Sequence, residues 1–186
     1  MQSYNAFVFS PHSYIHKPME IAIVSDIHDN LKHLNTVLDL CESREIEHII
    51  CCGDLCAPFV ISALGESGLN VYVVFGNNDG DRFNMTKLAQ QYPNIRIYGE
   101  FIGDEDNILI LDSVRIGVSH YPFYAKTMVK TGWYDAVFYG HSHTYEKQKF
   151  GKALLLNPGE VAGIFNAPSF AVYDTEFRGC EKVEIG

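Results

Sequence analysis

From residue 20 onward, short apolar runs alternate with segments of helical period, and this alternation limits the fold more than any other feature. Nearly continuous apolar runs are typical of strands covered on both faces, and they occur at 21–25, 48–52 and 70–75. Helical segments follow them at 30–43, 60–67 and 85–92. Strands joined through helices lie parallel, with right-handed crossovers. The sequence therefore predicts an α/β fold with a parallel core.

The second half of the chain has a different pattern. A hairpin is predicted around Asp112 and Ser113, followed by a short helix at 122–132 and a buried strand at 134–140. The remaining segments are short alternating runs separated by turns, a pattern typical of antiparallel pairing. The sheet is therefore expected to be mixed rather than purely parallel.

The first 18 residues show no sustained period and end in Pro18. We predict an N-terminal extension at 1–18, and the sequence leaves open whether it adds an edge strand or is disordered. The remainder, 19–186, is predicted to form one domain. With 186 residues and 47% hydrophobic content, the chain can bury a core without disulfides.

Charge and cysteine usage exclude several classes of protein. The 14 basic and 23 acidic side chains give a formal net charge of −9, which argues against binding of extended duplex nucleic acid. The five cysteines do not follow the spacing of a disulfide framework, so we expect reduced thiols and a cytoplasmic protein. No apolar stretch approaches the roughly 20 residues that span a bilayer, and no membrane association is predicted. A homo-oligomer is left open.

Five of the apolar strand candidates end directly in side chains that can bind metals. The stretches at these ends read DIHDN, GDL, GNND, HYP and GHSH. In open α/β sheets, ligands bind beyond the carboxyl ends of the strands, so loops at these ends can converge on one point. Each motif alone is also typical of an ordinary turn. Their joint occurrence at strand ends favours a shared site.

The residue types in the first two loops indicate a metal centre. Asp26 and His28 are two residues apart beyond a strand, and both can reach one ion from a single loop. Asp54 follows Gly53 and can share its two oxygens between two ions, as a bridging carboxylate does in a dinuclear site.

The later loops supply more imidazoles and an amide. His141 and His143 flank Ser142 and can reach different ions, while His120 and one of the paired asparagines, Asn77 or Asn78, would complete the second ion. Mixed imidazole and carboxylate ligands suit Mn, Fe, Zn or Ni better than Mg or Ca. We therefore predict two divalent metal ions, with Mn²⁺ favoured and Ni²⁺, Fe²⁺ and Zn²⁺ as alternatives. His33 and His48 are interpreted as surface or packing residues.

In these motifs the sequence resembles the calcineurin-like metallophosphoesterase superfamily, over about residues 19 to 186. The stretch NPGEVAG is similar to an Asn-Pro-Gly-Ser turn of the small bacterial and archaeal phosphodiesterase branch, with Glu160 in place of serine. The resemblance implies a four-layer αββα sandwich of two mixed β-sheets flanked by helices. It also implies two metal sites. Their expected ligands are Asp26, His28, Asp54 and His143 for the first metal, and Asp54, Asn77, His120 and His141 for the second.

The resemblance also implies a reaction, the hydrolysis of a small phosphate ester, with a phosphodiester favoured over a monoester. We expect direct in-line attack by a hydroxide that bridges the two metals, with Asp54, His120 and Asn78 assigned to catalysis. Many relatives carry histidine where this chain has Asn78. An amide donates a hydrogen bond but cannot give up a proton near neutral pH, so general-acid help should be missing at this position or come from another group.

Two other interpretations remain open from the sequence. One is a non-catalytic metal-binding scaffold, like the retromer subunit of the same fold, although here every ligand position is filled. The other is a hydrolase or binding module with a single metal. Tyr121 and Tyr145 adjoin the site loops and are candidates for the border of a substrate site.

Overall fold

The computed structural model describes residues 18–103 and 107–186. The strands, in chain order, are β1 (Glu20–Val24), β2 (His48–Cys51), β3 (Asn70–Val73), β4 (Ile95–Ile97), β5 (Phe101–Ile102), β6 (Leu109–Leu111), β7 (Val114–Ser119), β8 (Ala136–Phe138), β9 (Tyr145–Phe150), β10 (Ala153–Pro158), β11 (Ser169–Asp174) and β12 (Gly179–Glu184). The helices are α1 (Leu31–Ser43), α2 (Pro58–Glu66), α3 (Arg82–Ala89) and α4 (Pro122–Met128), and a 3₁₀ turn follows at Val129–Thr131.

Both sheets are mixed, as predicted. The first has the strand order β12-β11-β1-β2-β3-β4, in which β1 to β4 are parallel and β11 and β12 are antiparallel to their neighbours. The second has the order β5-β7-β8-β10-β9, with β6 also paired to β7. Its central strands β7, β8 and β10 are parallel, and the outer strands are antiparallel.

Three apolar cores separate four layers. Successive side chains of a strand point to opposite faces, so Val24 packs toward α1 to α3 while Ile23 packs between the two sheets. The between-sheet core continues through Phe138 of the second sheet, and Val137 faces the opposite way, toward α4. This arrangement is the predicted four-layer αββα sandwich.

Local sequence signals explain most element boundaries. The Asn30 side chain caps α1 by accepting a hydrogen bond from the His33 amide. The predicted hairpin is formed by β6 and β7, and its turn residues Asp112 and Ser113 have φ angles of 46° and 63°. The third helix differs from the prediction, because α3 begins at Arg82 after an N-cap at Asp81 and ends at Ala89. In its first turn the apolar residues Phe83 and Met85 are two apart, which is not a helical spacing.

The predicted extension at 1–18 falls almost entirely outside the described residues, which begin at Pro18. All five cysteines lie in the described part of the chain and are unpaired; Cys41, Cys51 and Cys52 are buried. Among the helices that the structure describes, none is both long enough and apolar enough to cross a membrane.

Candidate metal centre

The five site loops meet at one end of the two stacked sheets. Three of the loops follow the parallel strands β1, β2 and β3, and two follow β7 and β8. Main-chain hydrogen bonds join neighbouring loops, since the Asp26 amide donates to the Gly53 carbonyl at 3.1 Å and the Gly140 amide donates to the His120 carbonyl at 3.1 Å. The His141 amide donates to Asp26 Oδ2 at 3.0 Å and so links the two sheets.

Asp26, His28 and His143 form a first group that could hold a metal ion. Asp26 Oδ1 lies 3.9 Å from His28 Nε2 and 3.4 Å from His143 Nε2. Asp26 Oδ1 and His28 Nε2 are buried and have no hydrogen-bond partner among the described residues. Buried polar atoms are normally paired, so two unpaired atoms of metal-ligand type that lie 3.9 Å apart fit a bound cation.

Asp54 and His120 form a second group with Asp26. Asp54 Oδ2 lies 3.4 Å from His120 Nε2 and 3.7 Å from His28 Nε2, so this carboxylate stands between the two groups.

The remaining predicted ligands join this second group. Asn77 Oδ1 lies 3.1 Å from His120 Nε2 and 2.9 Å from His141 Nδ1. The structure thus brings all seven residues that the sequence nominated as metal ligands into one cluster. Clusters of aspartate and histidine with this composition are consistent with divalent metal ions.

Two histidine rings are fixed by partners on the side away from the cluster. His120 Nδ1 lies 2.8 Å from the Cys52 carbonyl oxygen, and His143 Nδ1 lies 2.8 Å from Glu160 Oε2. Because these oxygens accept, each Nδ1 carries a proton, and Nε2 points into the cluster. Metal-binding histidines are held in the same way, with the second ring nitrogen donating to a carbonyl or carboxylate.

The charged groups perturb one another strongly. Burial raises the pKa of Asp26. Burial also acts to raise the pKa of Asp54, but the hydrogen bond and charge of His120, together with two hydrogen bonds from Asn78, hold it well below its usual range. For His120, burial acts to lower the pKa, and the Asp54 carboxylate more than compensates, so the pKa is raised.

Asn78 takes a different place from Asn77. Its Nδ2 donates to Asp54 Oδ2 at 2.7 Å, and its backbone amide donates to Asp54 Oδ1 at 2.8 Å. Asn77 therefore presents an oxygen to two imidazoles, while Asn78 presents a donor to the central carboxylate. This division explains two amides in succession at the end of β3.

Two buried carboxylates that the sequence did not nominate support the cluster. Asp79 accepts hydrogen bonds from the amides of Asp54, Cys56 and Gly76 at 2.6 to 3.0 Å, so it ties the loop after β2 to the loop after β3. Glu160 holds His143. Asp79 ends the GNND motif and Glu160 departs from the family's turn, and these were the only signals in the sequence.

The two histidines interpreted as packing residues lie outside the cluster. His33 Nδ1 lies 2.9 Å from the Val161 carbonyl oxygen, and His48 Nδ1 lies 3.1 Å from the Tyr72 hydroxyl.

Comparison with known proteins shows the family of this chain. The sequence model of the calcineurin-like phosphoesterase superfamily domain matches residues 19–178, so the chain belongs to that superfamily. It is 30% identical over 170 residues to phosphodiesterase MJ0936 of Methanocaldococcus jannaschii. The aligned region covers 90% of this chain and 99% of that protein.

Solved structures of small phosphoesterases share the fold. A structure described as a novel archaeal phosphodiesterase superposes with a TM-score of 0.82 at 27% identity, over 90% of this chain and 100% of that chain. The phosphoesterase YfcE of E. coli superposes with a TM-score of 0.61 at 19% identity, over 90% of this chain and 100% of its own. At that identity the second likeness concerns the fold alone.

Proposed function

We propose that this chain is a phosphodiesterase that depends on two divalent metal ions. The observation that carries the proposal is the cluster itself, in which Asp26 Oδ1 and His28 Nε2 are buried without partners among the described residues. The fold does not use these atoms for its own hydrogen bonding, and burying them unpaired costs stability. The likeness to an archaeal phosphodiesterase over nearly its whole length supports the same reaction class.

The ligand sets are those that the family resemblance implies, and the two groups of side chains support them in outline, with Asp26 close to both groups. We assign Asp26, His28, Asp54 and His143 to the first ion and Asp54, Asn77, His120 and His141 to the second, with Asp54 shared. The four imidazoles favour a transition metal over Mg²⁺ or Ca²⁺, and Mn²⁺ is the ion we expect first. When bound, two such metal ions would lower the pKa of bound water and neutralise charge on the phosphoryl oxygens.

The chain's own residues then have distinct roles. Asp26, Asp54 and the histidines hold the ions, and the Glu160 and Cys52 acceptors keep the His143 and His120 rings oriented. Asn78 offers an amide donor beside Asp54, but it has no proton to give to a leaving alcohol. We therefore expect diesters with acidic leaving alcohols to be the better substrates.

The test is hydrolysis of bis-p-nitrophenyl phosphate by metal-stripped protein, titrated with Mn²⁺. Wild type is compared with His141→Ala, which removes a proposed ligand, and with His48→Ala, which removes a histidine outside the cluster. We expect activity to appear with metal, to reach its plateau near two ions per chain, to be lost in His141→Ala and to remain in His48→Ala.

Other results would change the conclusion in definite ways. Mn²⁺ binding without turnover of any diester would contradict the proposal and favour the scaffold interpretation. A plateau at one ion per chain would contradict the dinuclear site, but the conclusion that the protein is a hydrolase would stand. Equal activity in His141→Ala and His48→Ala would show that the reaction does not depend on the cluster.

A further inference from the structure

A cavity of about 330 Å³ lies beside the metal cluster, between α4 and the chain around β5. Its walls are mostly aromatic or apolar. They are formed by Phe101, Tyr121, Tyr124, Thr127, Met128 and Tyr134, with Glu100, Gly103 and Thr131 completing the lining. None of these residues has been given a role in metal binding.

Tyr121 is the wall that the cavity shares with the cluster. It directly follows His120, and its ring centroid lies 5.2 Å from that of His120 and 5.4 Å from that of His141. On its other side the ring packs against Tyr124, with the centroids 6.1 Å apart. A ligand whose phosphoryl group lay at the cluster could therefore extend past the edge of the Tyr121 ring and place an attached group in the cavity.

The polar groups around the cavity are largely satisfied within the protein. The Tyr134 hydroxyl donates to the Gly103 carbonyl oxygen, and the Glu100 carboxylate is paired with the Arg82 guanidinium at 2.9 Å. Two of the rings are open to solvent, since Phe101 is 48% exposed and Tyr124 is 55% exposed, whereas Tyr121 is half-buried and Tyr134 is buried. Exposed aromatic surface gathered around a concavity marks a binding site more often than ordinary surface does.

We propose that this cavity is the subsite for an aromatic ester group of the substrate, which makes the preferred substrate an aryl or similarly flat-ringed phosphodiester. The inference rests on the proposed function for the position of the phosphoryl group. The volume lies at the lower end of the range for ligand pockets, about 300–1,000 Å³, and suits a single ring system. Tyrosine and phenylalanine rings bind another ring by stacked or edge-to-face contact.

The test measures binding rather than turnover. Diphenyl phosphate and dimethyl phosphate carry the same anionic phosphodiester and differ in their ester groups, and calorimetry on the Mn²⁺-loaded protein gives the Kd of each. Hydrophobic pockets discriminate by about tenfold or more for a group of even one methylene. We expect diphenyl phosphate to bind at least tenfold more tightly in the wild type.

A filling substitution assigns the preference to this cavity. Thr127→Phe puts a ring into the space and should bring the two Kd values to within about twofold. The matched control is Thr36→Phe on α1. Both threonines are exposed helix residues whose hydroxyl donates to the carbonyl four residues earlier, at 2.9 Å for Thr127 and 3.2 Å for Thr36. Thr36→Phe should keep the tenfold preference. If Thr127→Phe fails to fold, Tyr124→Ala removes a wall instead and should also reduce the preference.

Phe165 provides the competing location. It is 75% exposed and packs edge-on against His143 with ring centroids 5.0 Å apart. If Phe165→Ala removes the preference and Thr127→Phe leaves it unchanged, the cavity is not the subsite. Equal Kd values for the two diesters in the wild type, with bis-p-nitrophenyl phosphate still hydrolysed, would overturn the subsite while the proposed function stands. The tenfold preference without hydrolysis would support the subsite and overturn the proposed function.

Discussion

Glu160→Gln tests how the cluster is held in place. The Glu160 carboxylate is fully buried and accepts four hydrogen bonds. Oε2 accepts from His143 Nδ1 at 2.8 Å and from the Ile164 amide at 3.0 Å, and Oε1 accepts from the amides of Phe165 at 2.7 Å and Asn166 at 2.5 Å. Glutamine has the same shape but only one acceptor oxygen, so two of the four donors would face an NH₂ group.

The cost can be estimated from these contacts. A buried donor left without an acceptor costs about 1–3 kcal/mol. The side chains of Ile164 and Phe165 are 56% and 75% exposed, so their segment can turn toward water and the loss should lie near the lower limit for two donors. We expect the free energy of unfolding of the metal-free protein to fall by about 2 kcal/mol.

Metal affinity should fall as well, because His143 loses the carboxylate that orients it. Removing such a partner weakens metal binding by about 10- to 100-fold, which corresponds to about 1.4–2.7 kcal/mol. Calorimetry with Mn²⁺ measures this term, and denaturant unfolding of the metal-free protein measures the stability term. The two readouts separate positioning of a ligand from anchoring of the 161–167 loop.

The matched control is Glu181→Gln. This carboxylate is also paired, with Arg44 at 3.0 Å, but its side chain is 62% exposed, and exposed ion pairs contribute only about 0–1 kcal/mol. Neither readout should move by more than that in the control. If Glu160→Gln lowers stability but leaves the Kd for Mn²⁺ within twofold of wild type, Glu160 anchors the loop and does not position His143, and the reasoning above is wrong.

Three further substitutions test other parts of the structure. Asn78→His should raise turnover on a diester with a poor leaving group, because imidazole can donate a proton that an amide cannot; kcat on matched good and poor leaving groups checks this, and no change would argue against an acid role there. Gly53→Ala should weaken Mn²⁺ binding at least tenfold, since a Cβ would lie 2.7 Å from His120 Nδ1 on a backbone with φ of 96°; calorimetry that shows wild-type affinity would contradict this. Phe138→Ala in the between-sheet core should lower the free energy of unfolding by about 3–5 kcal/mol, whereas Phe177→Ala, where the ring is 77% exposed, should change it by less than about 0.5 kcal/mol; similar losses in both would refute the packing argument.

The part of the site that the sequence could predict depends on strand ends. Asp26, Asp54 and Asn77 follow parallel strands of one sheet, and His120 and His141 follow parallel strands of the other. Parallel strands present their carboxyl ends at one edge, so an apolar run followed by a ligand-type residue is enough to predict convergence. No knowledge of side-chain packing is needed.

The supporting contacts could not be predicted in this way. Glu160 reaches His143 through the turn after β10, and Asp79 reaches Cys56 from the loop after β3. These pairings depend on where a fold brings distant loops, and a single glutamate or aspartate in a turn carries no signal of its partner. The cavity beside Tyr121 could not be predicted for the same reason, because its lining comes from distant parts of the chain, around β5 and around α4.

The backbone at the cluster shows what it costs the fold to hold these ligands. Five of the seven proposed ligands have a left-handed backbone. Their φ angles are 54° at Asp26, 44° at His28, 56° at Asp54, 72° at His141 and 57° at His143. Such conformations cost of order 1 kcal/mol or more each for residues other than glycine. They persist because main-chain hydrogen bonds between the loops and the Asp79 carboxylate fix the backbone from several sides.

This strain has a consequence for metal binding. The hydrogen bonds that hold the ligand loops in this geometry come from the protein itself, so we expect less of a metal ion's binding free energy to be spent on ordering the loops. The same argument accounts for Asp26 Oδ1 and His28 Nε2, which have no hydrogen-bond partner in the described part of the chain. The fold therefore loses stability at the cluster because its own hydrogen bonds hold the ligand side chains in strained backbone conformations.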